Sequence, residues 1–194
     1  MNELIKVIMK TIKKMNTTMR ITAIVVIIIL LGFVSAVFQP DIFGLDRAIL
    51  IVSPQSKIYD QVNDFHNWQG WFPWEQNDPT VKRTFEGPDS GVGSVYHCSG
   101  KLGEATMTIT DSKPDSDILI KWEMSRPLQT SGTTEFTFDK SVNKQTYVAW
   151  KLSGRSNFMI KLSLLFVNLN KTVGDDLQNG LEGLKVLTQP GYKR

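Results

Sequence analysis

A chain of 194 residues, 41% hydrophobic and 21% charged, is long enough for one compact domain with an appendage and too short for two large domains. Its formal charge of +3 is uneven: the first twenty residues hold five basic side chains (Lys6, Lys10, Lys13, Lys14, Arg20) against Glu3, while the remainder holds 17 basic against 18 acidic. With no basic block outside that tail nucleic acid is excluded as a partner, and a single cysteine, Cys98, in no CxxC or Cys/His spacing gives no support to an internal disulfide, zinc or thiol exchange.

The tail comes first. Apolar side chains at 4, 5, 8, 9, 12 and 15 fall near helical spacing with lysines between them. This suits a helix on an anionic leaflet, and equally a solvated basic tail that sets topology. Residues 21–38, ITAIVVIIILLGFVSAVF, carry no charge, and at helical rise they cover roughly 27 Å, enough to cross a bilayer once. A cleaved signal peptide is the alternative, because Val34-Ser35-Ala36 resembles a small-residue cleavage site. Basic residues crowd the amino-terminal side. The positive-inside bias therefore puts residues 1–20 in the cytoplasm and the rest of the chain outside, whether tethered or released.

After a linker over 39–46, Arg47-Ala-Ile-Leu-Ile-Val52 reads as a first strand. Ser53 as cap and Pro54 in the first turn then start a helix whose Ile58, Tyr59, Val62 and Phe65 recur at helical spacing to about Asp64. His66 closes that helix or its loop. The loop places Trp68, Trp71 and Trp74 within seven residues, and Gly70 with Pro73 forbids a long helix there.

Six runs with period-two alternation follow, at about 82–86, 94–99, 104–112, 117–124, 133–139 and 145–153, separated by turn residues. Ile118, Ile120, Trp122 and Met124 stand opposite Leu119, Lys121 and Glu123, the pattern of antiparallel strands covered on one face. From Phe158 the period lengthens to that of a long carboxy-terminal helix, with a break possible near Asn170 to Gly174. Such a helix is the one long element able to cover the concave face of a curved sheet, so the fold class is α+β.

Strand-Ser53-Pro54-helix, Asn67-Trp68-x-x-Trp71-x-Pro73-Trp74-Glu75, Asp78-Pro79, Lys82, Gly87-Pro88, Gly91-Val92-Gly93-Ser94-x-Tyr96, Gly100, Met107-Thr108-Ile109 and Gly180-Leu181-x-x-Leu184-Lys185 occur in that order. In this order they resemble the START-like superfamily, in particular its bacterial polyketide cyclase/dehydrase-type branch, over about residues 47–188. The resemblance implies a helix-grip fold over 47–190: a seven-stranded antiparallel curved sheet wrapped around the last helix, with a hydrophobic cavity between them. It implies binding of a lipid or other hydrophobic small molecule, and in a minority of branches catalysis.

The residues themselves discriminate among chemistries only in part. His97 and Cys98 are neighbours on a strand and point to opposite faces, so they form no nucleophile/base pair, and His97 faces solvent or a cavity wall. His66 and His97 stand in no metal-binding spacing, and neither a metal nor another cofactor is expected. Glu75, Asp78 and Glu86 could act as acid or base in a cyclisation or dehydration if desolvated, but the Pro and Gly around them predict exposed turns or caps. Gly91 to Ser94 lacks the Lys and helix of a phosphate cradle and reads as a hairpin turn. Trp122 and Trp150 on strands suit core. Trp68, Trp71 and Trp74 suit either core or the rim of an apolar pocket.

The expectation is therefore a membrane-tethered domain binding a hydrophobic small molecule or lipid through Trp68, Trp71, Trp74, Trp122 and Trp150. Tyr96, His97 or Glu75 would fix ligand orientation. A cyclase or dehydratase and a cavity-less interaction module in the cell envelope are the alternatives.

Overall fold

The computed structural model describes residues 16–140 and 145–191; the helix expected over residues 4–15 lies outside them. The apolar run forms helix α1, Thr17–Val37, whose first turn is capped by Asn16 Oδ1 accepting from the Met19 amide at 2.9 Å. With a mean hydropathy of 2.6 it is long and apolar enough to cross a membrane.

Strand β1 occupies Ile42–Ile51 and so begins five residues earlier than expected. Gly44 and Asp46 hide its start in the sequence, because an edge strand with one solvated face tolerates such residues. Only a short segment, 38–41, separates it from α1. Helix α2, Gln55–Asn63, follows, but Ser53 does not cap it. Pro54 takes the cap position without a side-chain bond, and the Ser53 carbonyl instead accepts from Thr146 Oγ1 at 2.7 Å. The aromatic loop is a 3-10 turn, Phe65–Gly70, then a single helical turn α3, Pro73–Gln76, started by its proline.

The six alternating runs are β2 Lys82–Glu86, β3 Val95–Ser99, β4 Glu104–Lys113, β5 Asp117–Arg126, β6 Thr130–Lys140 and β7 Thr146–Arg155. They pair antiparallel in sequence order, and β1 closes the set against β7, giving one seven-stranded sheet of order β1-β7-β6-β5-β4-β3-β2. Gly91 and Gly93 sit at φ +81° and +92° in the β2–β3 turn, as a hairpin requires.

The register decides where the core lies. Phe136 pairs with Trp150, and Trp122 with Met107, so large apolar rings meet on one face while Glu135 and Lys151 pair on the other. Over that inner face lies helix α5, Leu169–Thr188, packed along β1 with Leu177, Leu181 and Leu184 fully buried. A Cβ at Gly180 would come within 2.5 Å of the Trp150 ring, and one at Gly183 within 3.1 Å of the Trp71 backbone. Both glycines therefore let the helix lie closer to sheet and loop than any side chain would permit.

The last helix is broken, earlier than its apolar stripe suggests. Helix α4, Phe158–Ser163, is capped by Asn157, and α5 restarts under a second cap, Asn168, whose Oδ1 accepts from the Lys171 amide. Leu164, Leu165 and Phe166 keep the stripe apolar across the intervening turn, so the sequence places the break later, near 170–174.

One end of the sheet gathers several connections. β1 begins there beside the end of β7, Ile42 opposite Arg155, and the β3–β4 and β5–β6 turns lie there too. Helix α1 arrives and α4 departs at this same end.

Candidate functional site

Between the inner face of the sheet and the helices α4 and α5 lies an apolar cleft of about 470 Å³, within the usual range of small-molecule sites, ~300–1,000 Å³. Met107, Trp122, Met124 and Leu152 form its sheet wall; Leu164, Val167, Leu169 and Val173 form the helical wall. Trp68, Phe72, Trp74 and Trp150 close the deep end, and the turns at 100–103 and 127–128 border the end shared with α1.

Of the five tryptophans expected at the site, four line the cleft: Trp68, Trp74, Trp122 and Trp150. Their rings are fixed by neighbours. Trp150 stacks on Phe136 with centroids 4.8 Å apart and donates from Nε1 to Thr134 Oγ1 at 2.6 Å, while Trp68 donates to the Val62 carbonyl at 3.0 Å. Trp122 Nε1 is buried on the wall and has no acceptor among the described residues. Trp71 is fully buried behind the cleft, held by Gln61 and pressed against Gly183.

Tyr96 also sits behind the wall. Its hydroxyl donates to Glu75 Oε1 at 2.6 Å, and the other oxygen of Glu75 meets Arg83 Nε at 2.6 Å. Burial first, and the Glu75 carboxylate second, push the Tyr96 phenol far above its ordinary range, so it stays protonated and donating. Glu75 reaches the cleft wall but has a side chain only 2% exposed, which overturns the expectation of a surface carboxylate. The reason is Arg83, one turn and a strand away in sequence, a partner no local pattern announces.

Asp78 is buried as well. It accepts from Thr80 Oγ1, the Lys101 amide and the Thr80 amide, which hold its carboxyl below the usual range and pin the β3–β4 turn to the cleft border. Glu86, by contrast, is exposed beside His97.

His97 is on the wrong face for the cleft. Strand alternation turns Cys98 toward it and His97 outward, where Nδ1 lies 2.8 Å from Thr106 Oγ1 in a broad polar groove on the back of the sheet. Cys98 contacts the Ala105 carbonyl, and burial pushes its thiol up, away from the reactive thiolate. His66 lies 2.7 Å from Asp64 at the end of α2 and stacks on Phe85, closing the helix and its loop. Among the described residues, no three His, Cys, Asp or Glu side chains come together in a way that could hold a metal.

Comparison with protein families and with curated protein sequences finds no match. Comparison with solved structures finds 266 similar chains. They include a protein from Chromobacterium violaceum (TM-score 0.57, 16% identity, covering 78% of this chain and 99% of that one) and a hypothetical protein from Helicobacter pylori (0.59, 9%, 76% and 88%). The Aha1 dimer from Colwellia psychrerythraea is a third, at TM-score 0.53 and 16% identity, covering 78% and 99%. This shared architecture is consistent with a START or polyketide-cyclase-like fold. A fold so widely used selects no function by itself, and the cleft has to carry the functional argument.

Proposed function

We propose that this chain is a membrane-anchored START-like domain that binds a hydrophobic small molecule, most simply a lipid acyl chain, in the cleft under α5. In this reading α1 is the anchor, residues 1–20 stay in the cytoplasm and the domain lies outside; cleavage after α1 would release the same binding domain. The observation that carries the proposal is the cleft: apolar on both walls and bordered, at the end of the sheet where α1 joins it, by the turns at 100–103 and 127–128. Binding energy would come from apolar burial at about 25 cal/mol per Å², and Glu75 or Thr134 at the wall could orient a polar group.

The cyclase or dehydratase reading is less well supported, since it needs a carboxylate free to move a proton. Both oxygens of Glu75 are engaged, by Arg83 and by Tyr96. An interaction module without a binding site fits poorly with a cleft of this size.

The test uses the full chain in lipid nanodiscs. Long-chain fatty acids should change its tryptophan emission saturably, through the indoles of Trp74 and Trp122 on the wall. Ala105→Phe, which builds a ring into the cleft from β4, should weaken that response at least about tenfold in Kd, or ~1.4 kcal/mol. A response of equal size in the filled variant would place the binding elsewhere and defeat the proposal.

A further inference from the structure

From Phe158 to Leu169 the sequence reads FMIKLSLLFVNL, with one charge in twelve residues. Folding covers part of it, yet Met159 stays 55% exposed, Phe166 83% and Val167 44%. At the same end of the sheet the β3–β4 turn holds Leu102 54% exposed. Clustered exposed side chains of this kind mark a surface that meets something apolar.

Helix α1 indicates what that is. The Phe33 ring lies 4.6 Å from that of Phe158, and Ala36 is fully buried. Phe33 is five residues inside an apolar run that ends at Phe38, so it sits about 7 Å below that end of the helix. Whatever packs on Phe33 therefore lies at acyl-chain depth if α1 spans the bilayer. Charge agrees with this level. The lone cation of the segment, Lys161, is folded back onto Asp41 at 2.5 Å, just beyond the end of α1, where headgroups begin. Finally, Leu164 and Val167 of this segment also form the helical wall of the cleft.

We propose that α4 and the turn after it, Phe158 to Leu169, lie in the leaflet adjoining the domain as an apolar foot, with Met159 and Phe166 among the acyl chains and the cleft opening onto lipid. The partner is the bilayer that α1 crosses. The inference rests on the anchoring role of α1 and is independent of whether the cleft is filled. An in-plane element of this kind shortens the path of an acyl chain from bilayer to cleft to the width of one side chain, Val167, and removes the need to cross water.

The test places one thiol at a time in the full chain, in a Cys98→Ala background, at Ile28→Cys in α1, Phe166→Cys in the foot and Val92→Cys in the β2–β3 turn at the opposite end of the sheet. All three positions are exposed and tolerate a label. Each is labelled with an environment-sensitive fluorophore in phosphatidylcholine vesicles containing phosphatidylcholine with a nitroxide high on one acyl chain. Emission from 28 and 166 should be blue-shifted and strongly quenched, and emission from 92 should be neither. Quenching at 28 with 166 no different from 92 would overturn the foot and leave the anchor standing. Absence of quenching at 28 would overturn the anchor and the foot with it. Quenching at 92 equal to that at 166 would mean that the domain lies on the surface without a defined foot, and would also overturn the proposal.

Discussion

Glu75→Ala should lower the stability of the folded chain by about 3–5 kcal/mol, the usual cost of removing one partner from a buried ion pair. The carboxylate is 2% exposed, and its two oxygens meet Arg83 Nε and the Tyr96 hydroxyl, each at 2.6 Å. Removal leaves a guanidinium only 26% exposed with its charge unmatched, and a buried phenol with no acceptor. Both penalties fall on the folded state alone. In a domain of this size each kcal/mol is worth ~2–4 °C in Tm, so the melting temperature should fall by roughly 6–20 °C. Glu75→Gln should fall between, because it keeps an oxygen for Tyr96 and removes only the charge. Denaturation of the detergent-solubilised chain, followed by near-ultraviolet circular dichroism, measures both. A loss under about 1 kcal/mol for Glu75→Ala would show that the pair is not structural, and would reopen the acid/base role for this residue.

Trp150→Ala should cost a similar amount, about 3–5 kcal/mol, by the cavity it leaves. The indole stacks on Phe136, has Trp71, Phe72 and Trp74 within 6.3 Å between centroids, and fills the space that Gly180 leaves open under α5. Its removal joins a void to the deep end of the cleft. Trp150→Phe restores most of the ring but not the donor, leaving Thr134 Oγ1 without its partner at 2.6 Å, and should cost about 1–3 kcal/mol. Urea titration of the two variants separates the contributions. Equal losses would mean that the hydrogen bond, and not ring volume, dominates at this position.

How far the fold was legible in the sequence follows from which interactions are local. Period-two alternation in Ile118 to Met124 marked β5 and its buried face, and turn glycines marked the hairpins, because strand pairing between sequence neighbours leaves a local imprint. Tertiary partners leave none. Glu75 looked like a turn carboxylate because Arg83 meets it only once β2 is docked, and β1 looked shorter because Gly44 and Asp46 sit on an edge. The break between α4 and α5 was read a few residues late, near 170–174, because Asn168 caps a helix inside an unbroken apolar stripe. Of the site, the tryptophans were visible through their size and clustering. Met107, Met124 and Leu152 were not, since a methionine or leucine on a strand face reads as ordinary core until the helix above it is seen to stand off. His97 drew notice by its rarity, while strand alternation with Cys98 turns it away from the cleft into the groove on the back of the sheet.

The most direct measurement of the binding claim is photolabelling of the full chain in bilayers with a fatty acid bearing a diazirine at its chain end, followed by mass-spectrometric mapping of the adducts. Adducts are predicted on Met107, Met124 and Leu152, whose side chains face the cleft under α5. They should saturate with ligand, yield to unlabelled fatty acid and disappear in Ala105→Phe. Adducts confined to α1 and the turn at 164–168, with none on the sheet wall at any concentration, would contradict the account.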